Sequence, residues 1–184
     1  MFKRAEFQII KSRLEEPRKF IQVVMGARQI GKSTVVKQVL KELNQPFQLF
    51  SADNVPATSS AWISNCWAAT RSLMQNNDWE SVVLVIDEIQ KIANWSEVVK
   101  KEWDDDSFND RNIKVLLLGS SRVLLEKGLS ESLAGRFEEI PILFLVIGMA
   151  FLVKGADWFV DGASKIAKAM KIPSLIIGLT LVSM

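Results

Sequence analysis

A chain of 184 residues with 48% hydrophobic and 24% charged residues can hold one full domain and an appendage, and this balance excludes a disordered polymer. Lys and Arg number 23 against 21 Asp and Glu, and the resulting +2 is too small to argue for nucleic acid or anionic lipid. Histidine and tyrosine are absent, so any chemistry must rest on carboxylates, Lys, Arg or a bound cation.

The N-terminus alternates charged and apolar residues and lacks the long apolar stretch of a secretory signal, which places the first part of the chain in the cytosol as an expectation. Residues 5 to 17 read as a short amphipathic helix with Phe7, Ile10 and Leu14 on one stripe, stopped by Pro17. Phe20 to Met25 is an apolar run feeding into Gly26 and reads as a buried parallel strand. After Lys32, the apolar residues Val36, Val39, Leu40 and Leu43 recur at helical spacing. Phe47 to Phe50 predicts a second strand, and a tryptophan-rich helix follows from about Ala61 to Met74. Cys66, the single cysteine, lies within it and reads as core filling without a His partner.

Val82 to Ile86 is continuous and β-branched, as a central parallel strand should be. Asn94-Trp-Ser-Glu97 has the form of a capping box, opening a helix whose buried stripe is Trp95, Val99 and Trp103. The acidic run Asp104 to Asp106 is a poor helix continuation and reads as a solvated turn. Lys114 to Leu118 predicts a fourth strand ending at Gly119-Ser-Ser121. Alternating elements of this kind predict an α/β fold, a parallel sheet with helices on both faces. Ligands in such sheets bind beyond the carboxyl ends of the strands, where the polar residues after strands one, three and four fall.

Gly26, Gly31, Lys32 and Ser33 satisfy the pattern G-x-x-x-x-G-K-[ST] of a P-loop. Glycines let the backbone wrap around phosphates, while consecutive amides and a helix N-terminus offer positive partial charge. Gly26, Ala27, Arg28, Gln29, Ile30, Gly31, Lys32, Ser33 and Thr34 form the expected cradle for ATP. Lys32 would reach the β and γ phosphates, and Ser33 would ligate Mg²⁺. Asp87 and Glu88 follow the third strand in the manner of a Walker B element. Asp87 would hold Mg²⁺ through water, and Glu88 would act as general base on the attacking water. Either motif alone also fits a surface loop or an acidic turn; both together, in the right order of elements, define a nucleotide site. Ser120 and Ser121 stand where a side chain would sense the γ-phosphate, and equally where a turn or cap serine would. Arg136 is a candidate arginine finger, in cis or in trans in a homo-oligomer, or a surface arginine. Basic residues are not interleaved with aromatics as a nucleic-acid groove would require.

The stretch from Gly26 to Glu139 resembles the ATP-binding domain of a widespread group of prokaryotic AAA-type ATPases. The matching segments are Gly26 to Thr34, Ser51-Ala-Asp53 with the Trp62 and Trp67 helix, and Asp87-Glu-Ile-Gln-Lys-Ile92. They continue with Asn94 to Glu97, Leu118-Gly-Ser-Ser-Arg122 and Gly128 to Phe137. The resemblance implies the additional-strand P-loop topology, with a strand inserted between those bearing the two nucleotide motifs. It also raises the standing of Arg136. Residues 1–141 are therefore expected to form an AAA-type ATP-binding domain, with catalytic roles for Lys32, Glu88, Ser120 and Arg136 and metal contacts from Ser33 and Asp87.

After Pro141 the composition changes, and Ile142 to Val153 contains no polar side chain. Leu152 to Ser164 and Ile172 to Thr180 resemble the start of a sodium/calcium exchanger family membrane protein. That resemblance implies a hydrophobic helical segment over 142–184, associated with a membrane; a buried hairpin packed on the ATPase is the alternative. The first apolar run is shorter than the roughly 20 residues that span a bilayer, unless extended at either end. Lys154, Lys165, Lys168 and Lys171 favour a cytoplasmic loop, which conflicts with a cytosolic ATPase before a single crossing. The expectation is thus a truncated ATPase frame joined to a transporter start, without an exchanger ion site.

Overall fold

A computed structural model describes residues 5–120, 129, 132–141, 154–162 and 165. The chain divides into two compact units, Met1–Ile142 and Leu143–Met184. In the first, helix α1 (Ala5–Glu15) precedes β1 (Ile21–Met25), α2 (Lys32–Glu42) and β2 (Phe47–Ser51). Helix α3 (Ala61–Asn76), β3 (Val82–Asp87), a 3₁₀ turn (Ile89–Lys91), α4 (Trp95–Phe108), β4 (Ile113–Gly119) and β5 (Phe137–Pro141) follow.

The five strands form one sheet in the order β2-β3-β4-β1-β5, parallel throughout. β4 thus lies between β1 and β3, the inserted strand that the resemblance implied. Strand alternation splits the core in two. Ile21, Val23 and Met25 of β1 face α3 and α4, packing with Leu84, Ile86, Val115, Trp67, Val99 and Trp103. Val24 points the other way, with Val83, Val85, Leu116 and Leu118, against α1 and α2. β1, β4 and most of β3 are buried on both faces, which is why they read as largely apolar runs, broken only by Gln22 in β1 and Lys114 in β4.

Two expectations are corrected here. Asp104 to Asp106 is not a solvated turn but the last part of α4, which runs to Phe108. The acids are tolerated because cations meet them. Asp106, fully buried, accepts hydrogen bonds from Trp67 Nε1 at 3.0 Å and Arg71 Nε at 2.7 Å, and Asp104 pairs with Arg136 at 2.8 Å. Asn94 does precede α4, but it adopts a left-handed conformation (φ 54°) and makes no capping hydrogen bond through its side chain. Glu97 instead accepts the hydroxyl of Ser132. The Ile142 to Val153 run lies outside the described residues; residues 154–162 are helical, with Trp158 and Phe159 exposed. Among the described residues no helix is long and apolar enough to cross a membrane.

Candidate nucleotide site

Parallel strands carry all their carboxyl ends to one edge, and the registers Met25↔Gly119 and Ser51↔Asp87 align those ends. The loop after β1, the Asp87-Glu88 pair at the end of β3 and Ser120 after β4 therefore meet. The loop turns into α2 through Gly31, whose φ of 85° is left-handed and suits a residue without Cβ. Gln29 shares that region at φ 62°, so two left-handed residues wind the loop tightly before α2.

Lys32 is buried, and its Nζ donates to the carbonyls of Gly26 at 2.9 Å and Ala27 at 2.8 Å. Burial pulls its pKa below the ordinary lysine value, while the nearby charges of Glu88 and Asp87 oppose that fall. Ser33 Oγ donates to Asp87 Oδ2 at 2.7 Å. The other Asp87 oxygen, Oδ1, accepts the Glu88 amide at 2.9 Å. Glu88 itself is left-handed (φ 55°), which bends the chain out of β3 and swings its side chain towards β4. There Glu88 Oε2 accepts Ser120 Oγ at 2.9 Å and Gln90 Nε2 at 2.6 Å. Arg28, Gln29, Gly31, Lys32, Ser33 and Thr34 line a cleft of about 420 Å³. Glu88, Asp53 and Lys91 complete its wall, the last two joined by a 2.6 Å ion pair. The volume falls in the range of small-ligand sites.

Lys32, Ser33, Asp87, Glu88 and Ser120 are thus brought together as the spacing predicted. Ser121 lies outside the described residues. Arg136 is not brought there. It directly precedes β5, and its carbonyl accepts the Ile21 amide, at the amino end of the sheet. β1 runs its whole length between Arg136 and the loop, roughly 15 Å. The guanidinium is forked onto Asp104, through Nε at 2.8 Å and Nη2 at 3.2 Å. Within one chain Arg136 therefore stands at the amino edge of the sheet, opposite the edge that carries the loop. Gln90, Asp53 and Lys91 had no assigned role in the sequence. Gln90 stood within the matched Asp87 to Ile92 segment, two residues beyond the presumed base, which is the one signal that pointed to it.

A family model for the AAA domain matches residues 18–149, and the chain belongs to that family. A second model, for the sodium/calcium exchanger protein, matches residues 140–184. A sodium/calcium exchanger of Methanosarcina acetivorans is 50% identical over 44 residues, 24% of this chain and 13% of that protein. An uncharacterised protein of Haemophilus influenzae is 28% identical over 130 residues, 67% of this chain. The chain spans 31% of that relative, a small part of either protein. Among solved structures, the Aeropyrum pernix ORC2 protein, in complexes with ADPNP and ADP, is similar with a TM-score of 0.54 at 16% identity. That likeness covers 76% of this chain and 47% of the other and concerns the fold. The chain is an AAA-type P-loop domain joined to an exchanger-like segment.

Proposed function

We propose that the chain binds ATP with Mg²⁺ in the cleft after β1 and hydrolyses it to ADP and phosphate. The observation that carries this is the 2.7 Å contact between Ser33 Oγ and Asp87 Oδ2, which joins the two motifs across the sheet edge beside Lys32. A hydroxyl and a carboxylate oxygen side by side fit Mg²⁺, which keeps several waters and needs only one or two protein ligands. When bound, the ion would neutralise charge on the phosphate oxygens. The amides from Gly26 to Thr34 wrap the phosphates. Lys32 leaves the Gly26 and Ala27 carbonyls for the phosphate oxygens, exchanging neutral acceptors for charged ones. Glu88 takes the proton of the attacking water, and Ser120 holds the Glu88 carboxylate. The Aeropyrum pernix protein's complexes with adenine nucleotides support this choice of ligand.

Equilibrium binding of a fluorescent ATP analogue to the full chain tests the reading. Saturable, Mg²⁺-dependent binding lost in Lys32→Ala is the expected result; equal affinity in both proteins would refute it. Action of Arg136 in trans, within a homo-oligomer, requires its Asp104 fork to open. Turnover per subunit that rises with protein concentration, but not in Arg136→Ala, would carry that role.

The exchanger match supports a second reading for 142–184, association with a membrane, the ATPase domain lying on its cytoplasmic side. Exposed Trp158 and Phe159 suit an interface. Flotation of the full chain with liposomes tests it; a chain that stays at the bottom of the gradient contradicts it.

A further inference from the structure

We propose that Gln90 is a positioning residue that fixes the Glu88 carboxylate for water activation; this rests on the hydrolytic reading above. Three hydrogen bonds close a triangle. Gln90 Nε2 donates to Glu88 Oε2 at 2.6 Å and to Ser120 Oγ at 3.3 Å, and Ser120 Oγ donates to the same Glu88 oxygen at 2.9 Å. Both donors to Glu88 fall on Oε2. Among the described residues Oε1 accepts none, which leaves one defined oxygen to receive a proton.

Packing alone does not account for a glutamine here. Gln90 is only 9% exposed, and its Oε1 is buried with no hydrogen-bond partner. A leucine or methionine would fill this volume without stranding an acceptor. The charge of Glu88 decides the amide's orientation, because only the NH₂ edge can face a carboxylate. The route is local as well. Glu88 is left-handed and Ile89–Lys91 is a 3₁₀ turn, so the side chain two residues on folds back over its own backbone to meet Glu88. Ser120 supplies the second donor from a different strand end, so the carboxylate is held from the β3 side and the β4 side together. Two donors on one oxygen fix the plane and rotation of the carboxylate. The same base held by one donor is free to rotate away from the reacting water, and misplacement of this kind can cost up to roughly a hundredfold in rate.

The test is a double-mutant cycle in the full chain with Gln90→Met, which matches glutamine in size and lacks the donor, and Glu88→Gln. Gln90→Met is expected to lower kcat roughly tenfold or more while leaving ATP affinity unchanged. In the Glu88→Gln background it is expected to cause no further loss, because its effect runs through Glu88. Gln90→Glu, also matched in size, should fall at least as far, since a second carboxylate would repel the first. Equal losses in both backgrounds, a faster enzyme, or a loss explained by weaker ATP binding would each overturn the proposal. Turnover that needs Glu88 but is indifferent to Gln90 overturns this inference alone. A chain that binds ATP yet turns it over no faster than Glu88→Gln overturns the hydrolytic reading and this one with it.

Discussion

Replacing Asp106 by alanine removes the acceptor on which α3 and α4 are clamped together. The carboxylate is fully buried and takes Trp67 Nε1 at 3.0 Å, Arg71 Nε at 2.7 Å and Arg111 Nη1 at 3.4 Å. Burial lowers the Arg71 pKa, but the hydrogen bond and charge of Asp106, with the charge of Glu102, outweigh it and leave the value raised. In Asp106→Ala the Trp67 indole keeps its burial and loses its acceptor. Arg71 is 19% exposed and retains Glu102 at 2.7 Å and Asp105 at 3.2 Å, so its charge is not stranded. Removing one partner of a buried pair costs about 3–5 kcal/mol, and the surviving partners put this case at the low end, about 3 kcal/mol. For a chain of this size that lowers Tm by roughly 6–12 °C. Urea unfolding followed by tryptophan fluorescence reads the change. Asp105→Ala, at a side chain 48% exposed, serves as control and should cost less than about 1 kcal/mol. Equal losses from the two substitutions, or less than about 1 kcal/mol from Asp106→Ala, would refute the clamp.

Gly31→Ala places a Cβ at φ 85° and should destabilise the chain by about 1–2 kcal/mol while weakening nucleotide binding, read by thermal melts and titration. Burial pushes the Cys66 thiol up to about 12, so thiol reagents at pH 8 should leave the native chain unlabelled and react on unfolding; rapid native labelling contradicts this. The folded state thus keeps its proton where the unfolded thiol, near 9.0, loses it, and stability must fall as pH rises from 9 towards 12. At pH 10 the loss is about 1.4 kcal/mol relative to Cys66→Ala, measured by urea midpoints across that range.

The sheet was legible because its central strands are buried on both faces, so Val82 to Ile86 and Val115 to Leu118 stood out as unbroken apolar runs. The site was legible for a related reason. Lys32 and Ser33 open a helix, Asp87 ends a strand and Glu88 directly follows it, so local spacing alone carries them to one edge. What failed depended on partners distant in sequence. Nothing near Asp106 shows that Trp67 and Arg71 will meet it, so an acidic run looked like a turn. The Asn94 capping box gave way to a contact between Glu97 and Ser132, which no local motif encodes. Arg136 was visible as a motif, but which end of the sheet it occupies depends on the direction of β5, which local spacing does not encode.

The central claim is that the loop from Gly26 to Ser33 and the Asp87-Glu88 pair make one hydrolytic site. Steady-state phosphate release by the full chain with Mg²⁺ and ATP, compared between wild type and Glu88→Gln, tests it most directly. The account predicts saturable turnover that falls roughly a hundredfold or more in Glu88→Gln, with ATP binding retained. Equal turnover in the two proteins would contradict it.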